Sequence, residues 1–156
     1  MAVALFVTYL GFMTHYYVLF YDGTFEMFDY YKLLQVFNKE AFSIVLMILV
    51  MVGLLFVFGL PKYRPGLAGL VAAIGATVFV TTRSLALLNV IPVYKEGYLA
   101  LDFAELDDYV PSTFVFDTAT LLHYLLIGAF GLLTLVALMS FIQRLREGHS
   151  IIRKLR

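Results

Sequence analysis

Three ionisable side chains lie inside long apolar runs of the sequence, where each needs a chemical reason to be present. They are His15, Arg83 and His123. A charged group at the centre of a bilayer costs at least ~2.5 kcal/mol unless it is paired or hydrated, so such residues often mark functional sites. An imidazole can ligate a metal or share a proton, and a guanidinium binds carboxylates and phosphates through paired hydrogen bonds.

His15 and His123 are expected at one depth in the membrane. If the first span runs outward and the fourth runs inward from Asp117, each histidine lies about 9 Å below the outer boundary of a ~30 Å hydrocarbon core. Arg83 falls within roughly two helical turns of that layer. Small residues share the faces of these side chains, so we expect all three to point into a protein interior, of this bundle or of a larger assembly.

Two histidines at one level have three interpretations. His15 and His123 would supply both axial ligands to the iron of haem b, with Arg83 on a propionate. In the second interpretation the same residues line a quinone or lipid head-group pocket. In the third, each histidine makes a structural hydrogen bond between helices. For Arg83 the alternatives are an anionic ligand, an ion pair with Asp117 or Glu40, or extension of the side chain to the outer surface.

The composition is that of an integral membrane protein. Of the 156 residues, 62% are hydrophobic and 14% are charged, with a mean hydropathy of +0.91, whereas a soluble domain has about 25% charged residues. The net charge of zero disfavours nucleic acid as a partner. Without cysteine there is no disulfide, zinc–thiolate or iron–sulfur site. The common hydrolase and nucleotide-binding motifs are absent, so we name no catalytic residue and expect no enzyme activity from the chain on its own.

Four apolar runs predict an all-α protein with four transmembrane helices. The expected spans are residues 1–21, 41–60, 66–90 and 118–142. The segments between and after them are two outer loops, a short turn and a basic tail, at 22–40, 91–117, 61–65 and 143–156. We treat residues 1–156 as a single membrane domain, and the first run as a retained helix because it lacks the basic start of a signal peptide.

The basic residues orient this bundle. The turn 61–65 and the tail 143–156 together carry seven Lys or Arg, and the two outer loops carry three. By the positive-inside rule both termini are expected in the cytoplasm, and we expect a prokaryotic cytoplasmic membrane. The outer loops are acidic, which suits either a solvated surface or a basic soluble partner.

The outer loops also predict one or two short amphipathic helices at the membrane surface. In residues 24–37 polar side chains recur at every third position among aromatic and aliphatic ones. A second such helix is expected at 98–109, where Pro111 follows.

The sequence therefore predicts a small accessory or structural subunit of a larger membrane complex, in respiratory or photosynthetic electron transport. The reasons are small-residue faces on three helices and the lack of a catalytic set. One alternative is an electron-transfer subunit that binds haem b or quinone between His15 and His123. The other is a small membrane enzyme or transporter that holds an anionic lipid or solute at Arg83. The lipid bilayer and other membrane subunits are the expected partners.

Overall fold

The computed structural model of the chain is all-helical over the residues that it describes. These residues are 1–19, 25–58, 67–101 and 110–154, with side chains at 1–10, 36–54, 67–101 and 110–147. They form the α-helices α1 (Ala2–Leu19), α2 (Phe25–Phe58), α3 (Leu67–Leu99) and α4 (Phe114–Lys154). No described residue lies in a strand, and the predicted all-α class is confirmed.

Three of these helices are long and apolar enough to cross a membrane. The qualifying segments are Val36–Leu54 in α2, Leu67–Leu99 in α3 and Phe114–Glu147 in α4. They correspond to the second, third and fourth predicted spans, which supports a membrane protein. The first predicted span, 1–21, contains α1, whose side chains from residue 11 onward lie outside the described residues. That span stays a prediction.

The helices extend further than the predicted spans. α2 begins at Phe25, so the surface helix predicted at 24–37 is not a separate element but the first part of α2. α3 continues to Leu99 with Pro92 inside it, and α4 continues to Lys154. The 41 residues of α4 correspond to about 62 Å, twice the ~30 Å of a hydrocarbon core. Hydropathy marks where lipid gives way to water, and a helix can continue across that boundary because its backbone hydrogen bonds are internal.

The second surface helix, predicted at 98–109, is described only at its start. Tyr98 and Leu99 are the last residues of α3. The Leu101 amide then donates to the Tyr98 carbonyl at 3.3 Å, a tighter turn that closes the helix. Residues 102–109 lie outside the described residues.

The four helices pack in a closed ring in the order α1, α2, α3, α4 and back to α1. The interface between α3 and α4 is the most extensive, and that between α2 and α3 is the smallest. In the described parts of the helices, no Cα pair within 8 Å joins α1 to α3 or α2 to α4. Neighbouring helices are therefore arranged around one shared core, as in an up-and-down four-helix bundle.

The core of the ring has a heptad-like spacing. On α4 the buried residues recur at alternating steps of three and four, at Phe116, Ala119, His123, Leu126 and Phe130. On α3 the same steps connect Val80, Ser84, Leu87 and Ile91. This spacing keeps one face of each helix against its neighbours in a shallow crossing of about +20°. It also decides which polar residues face inward, because Ser84 and His123 occupy core positions.

Substitution of Ala41 tests the packing of this four-helix ring. It is completely buried on α2, whereas Ala86 is exposed on α3. We expect Ala41→Leu to lower the free energy of unfolding by about 1–3 kcal/mol, because a packed core must be displaced to admit the larger side chain. Ala86→Leu makes the same change on the outer surface and should alter it by less than about 0.5 kcal/mol. Unfolding of both variants in mixed micelles measures the difference, and equal effects would contradict this packing.

Candidate functional site

His123 lies in the core, where it has no exposed surface. Its Nε2 atom is 3.0 Å from the hydroxyl oxygen of Tyr9 on α1, and its Nδ1 atom is 3.2 Å from that of Ser84 on α3. The rings of Tyr9 and His123 also meet edge to face, with their centroids 6.1 Å apart. One imidazole on α4 thus joins three helices. We call Tyr9, Ser84 and His123 the core triad.

The two hydroxyls of the core triad satisfy the hydrogen-bonding requirement of both nitrogens of a neutral His123 imidazole. A neutral ring has one N–H donor and one acceptor nitrogen, so one hydroxyl accepts from the ring and the other donates to it. Either placement of the ring proton satisfies both contacts, because a hydroxyl can donate or accept. A protonated ring would place a charge among apolar side chains, which a membrane interior disfavours. The arrangement therefore suits a structural histidine with no nitrogen left for a ligand.

A second polar contact joins α3 and α4 about two helical turns further along. The Thr77 hydroxyl donates to the Phe130 carbonyl at 2.9 Å, and its oxygen lies 2.7 Å from that of Thr134. The Thr134 hydroxyl is also 3.3 Å from the Ala73 carbonyl. Hydroxyls that bond across helices hold membrane helices together. The polar groups at both levels of the α3–α4 interface therefore have structural partners.

The second predicted ligand, His15, lies on α1, but its side chain is outside the described residues. Position 15 is six residues beyond Tyr9, which is about 9 Å of helix rise. Because Tyr9 is the residue that contacts His123, the packing offsets α1 and α4 relative to the equal depth expected from the sequence. Hydropathy locates the ends of a span only to within a few residues, so it could not show this offset.

A haem between His15 and His123 would need a free nitrogen on each ring, because iron binds the unprotonated nitrogen of an imidazole. On His123 that nitrogen would first have to leave Tyr9 or Ser84. In the part of the chain that the structure describes, no group of three His, Cys, Asp or Glu side chains could hold a metal ion. The geometry favours hydrogen bonding as the role of His123, and the ligand role of His15 stays a prediction.

Arg83 lies on the outside of the bundle. Its neighbour Ser84 faces the core, and one residue of helix turns the chain by ~100°, so the Arg83 side chain is exposed. It lines a cavity of about 510 Å³ between α2 and α3, which we call the α2–α3 groove. The other residues that line this groove are Lys39, Glu40, Ser43, Ile44, Met47 and Phe79.

Neither ion pair considered for Arg83 is present. Asp117 instead pairs with Lys95 at 2.6 Å and accepts from the Thr113 hydroxyl at 2.8 Å. Glu40 lines the groove beside Arg83, yet no acidic side chain among the described residues lies within ion-pair distance of the guanidinium. The exposed Lys95–Asp117 pair links α3 to α4 and contributes at most about 1 kcal/mol. The charge of Arg83 is therefore not compensated by the described bundle.

Sequence reasoning missed Tyr9 and Ser84. A signal for Ser84 was present, because it continues the steps of three and four that connect Val80 and Leu87. Tyr9 had no such signal, because it lies near the middle of the predicted span 1–21 and no residue spacing there shows which helix it faces. Its role follows only from the approach of α1 to α4.

Asn38 is a buried polar residue of α2 that the sequence places among charges. It is 3% exposed, and its Oδ1 atom has no hydrogen-bond partner in the described structure. Lys39 and Glu40, which follow it, are exposed, so the local composition indicates a surface segment. A buried amide oxygen without a partner costs about 1–3 kcal/mol. Asn38 is therefore a weak point at this end of the core.

No protein-family model matches the chain, and no curated protein or solved structure matches it. The chemistry of its own side chains therefore carries the functional interpretation. Of the features described, the core triad is closed to ligands, whereas the α2–α3 groove and the outer helix faces are accessible.

Tyr9→Phe removes the hydroxyl that partners Nε2 of His123 and keeps the ring. We expect the free energy of unfolding to fall by about 1–3 kcal/mol, because a buried nitrogen loses its hydrogen bond. Tyr124→Phe is the matched control, since Tyr124 follows His123 on α4 but is 58% exposed, and it should change stability by less than about 0.5 kcal/mol. Unfolding in mixed micelles measures both variants. Equal losses would show that the triad has no structural role.

A reduced-minus-oxidised visible spectrum of the purified protein tests the haem alternative. With both nitrogens of His123 engaged by hydroxyls, we expect no b-type band in the wild type. A sharp band that is lost in both His15→Ala and His123→Ala would show that iron displaces a hydroxyl. That result would make the chain an electron-transfer subunit.

Proposed function

We propose that this chain is a non-catalytic accessory subunit of a larger membrane complex, which it joins through exposed small-residue faces of α3 and α4. The observation that carries this proposal is the open space around Gly75. This glycine is exposed on α3, and a Cβ added there would meet no atom within 4 Å. The packing of the bundle itself therefore does not require a glycine at this position.

Gly75 belongs to a row of small exposed residues. Ala68 and Ala72 lie on the same side of α3, at steps of four and three residues, and both are exposed. A glycine inside a helix costs about 1 kcal/mol relative to alanine. In membranes, small residues allow a second helix to approach closely, which offsets such a cost. A row that the bundle leaves open suits a helix from a partner subunit.

α4 carries a similar opening at Gly128 and Gly131, where an added Cβ would also meet no atom within 4 Å. Gly53 on α2 is open as well, but the residues three and four positions before it are both large, whereas the exposed glycine of α3 has an alanine three positions before it and the two glycines of α4 lie three residues apart. These pairs of small residues favour α3 and α4 as the contact faces.

The polar groups of the core support a structural role over a catalytic one. The core triad and the contact between Thr77 and Thr134 use their hydrogen bonds to join helices. Within the described residues, His123 therefore has no free nitrogen with which to activate a nucleophile or bind a substrate. Scaffolding needs only such helix-to-helix contacts, whereas catalysis needs accessible groups.

The same proposal includes the orientation of the chain. α1 crosses the membrane as a fourth span, and both termini lie in the cytoplasm of a prokaryotic cell. The exposed Arg144 and Arg146, which follow the predicted span on α4, support this, because basic residues collect on the cytoplasmic side. An electron-transport complex is the partner that we would test first.

Gly75→Leu tests the subunit role. It should leave the fold intact, because the new side chain enters open space, but should release the chain from its complex by blocking a partner helix. Gly53→Leu makes the same change on α2 and should leave the complex whole. The measurements are the mass and stoichiometry of the complex extracted from native membranes, and the thermal unfolding of each isolated variant. Extraction of the wild type without partners, or retention of Gly75→Leu in the complex, would reject the proposal.

A further inference from the structure

The α2–α3 groove is polar at one end and apolar at the other. Its polar end contains Lys39, Glu40, Ser43 and Arg83, and its apolar end contains Ile44, Met47 and Phe79. Lys39 and Glu40 directly precede the uncharged run of α2 that begins at Ala41, so the polar end lies at the boundary between membrane and water. The apolar end extends from that boundary toward the middle of the bilayer.

The charges of the groove favour an anion. Two cations, Lys39 and Arg83, line it against one carboxylate, Glu40. Neither cation has an ion-pair partner among the described residues, and the guanidinium carbon of Arg83 lies 6.0 Å from the centre of the Phe79 ring. An arginine near the hydrocarbon region is costly until an anion pairs with it. The paired N–H groups of a guanidinium match the oxygens of a phosphate.

The order of the lining residues matches a phospholipid. Its phosphate would lie between Arg83 and Lys39, where the Ser43 hydroxyl can also donate, and an acyl chain would lie along Met47 and Phe79. The groove is accessible from the lipid side, because Arg83, Ser43 and Met47 are exposed. Its volume of about 510 Å³ is that of a small-molecule site, typically ~300–1,000 Å³. A free phosphate would use the polar end and leave the apolar end without a ligand.

We infer that the α2–α3 groove binds an anionic phospholipid, with the phosphodiester held by Arg83 and Lys39 and an acyl chain packed on the apolar end. This lipid site does not depend on the proposed subunit role. A soluble phosphate and a partner helix with an acidic side chain are the competing occupants.

Native mass spectrometry of the delipidated full chain, titrated with phosphatidylglycerol in detergent, tests this inference. We expect saturable binding by the wild type. Arg83→Gln and Lys39→Gln should each weaken it about tenfold or more, because each removes a charge-assisted hydrogen bond to the phosphate. Arg144→Gln is the control: it removes an exposed basic residue of α4 that lies outside the groove, and it should bind as the wild type does.

Two further probes separate the parts of the lipid. Diacylglycerol lacks the phosphate, and sn-glycerol 3-phosphate lacks the acyl chains, so each should bind at least about tenfold more weakly than phosphatidylglycerol. Equal binding of sn-glycerol 3-phosphate would assign the groove to a soluble anion and overturn the inference.

Undiminished lipid binding by both groove variants would overturn it as well, and so would an equal loss in Arg144→Gln. If Arg83→Gln instead released a bound polypeptide and left lipid binding unchanged, the occupant would be a protein. Thermal unfolding of each variant confirms that it is folded.

Discussion

The packing of the bundle depends on two hydrogen bonds that the buried imidazole of His123 makes to hydroxyl groups of other helices. His123 has no exposed surface, so each ring nitrogen must find its hydrogen bond inside the protein. Tyr9 and Ser84 provide those bonds from α1 and α3. The apolar spacing of α3 already turns Ser84 inward, and the contact with Tyr9 aligns α1 in height with His123 on α4. A slip of either helix by one residue would break one of the two contacts.

The rotation of α3 that brings Ser84 inward also brings Arg83 outward, because neighbouring helical residues point ~100° apart. The interior of the described bundle therefore contains neutral groups whose hydrogen bonds are satisfied between helices, apart from Asn38. The charge that the sequence places within a span faces the α2–α3 groove instead. The residue that joins the core and the residue of the proposed lipid site therefore lie on different faces of α3.

The uneven packing of the ring has consequences for where other molecules can bind. α3 and α4 share the most extensive interface, and two threonines reinforce it with hydrogen bonds. α2 and α3 share the smallest interface, and the groove lies between them. A close helix pair is a rigid support, whereas a partly open interface admits a ligand without breaking the core. The exposed glycines of α3 and α4 offer a third kind of surface, open to another helix.

Much of the architecture could be predicted from the sequence. Long apolar runs predicted four spans, and three of the helices are long and apolar enough to cross a membrane. Asp117 marked the start of the last one to within a turn. The ends of the helices could not be predicted in the same way. Hydropathy responds to the surrounding solvent, and α2 and α4 remain helical beyond the apolar segments that identify them.

For the candidate site, residue types alone pointed to His123 and Arg83 as side chains that need partners, because an ionisable group in an apolar run is costly. Which partners they have was decided by the tertiary structure. The offset of α1 places Tyr9 beside His123, and the rotation of α3 directs Ser84 inward and Arg83 outward. Both quantities arise from side chains packing between helices that are distant in sequence. The hydropathy of the sequence determines the depth of a residue in the membrane to within a few positions. It does not determine how the surrounding helices are rotated or at what relative height they pack.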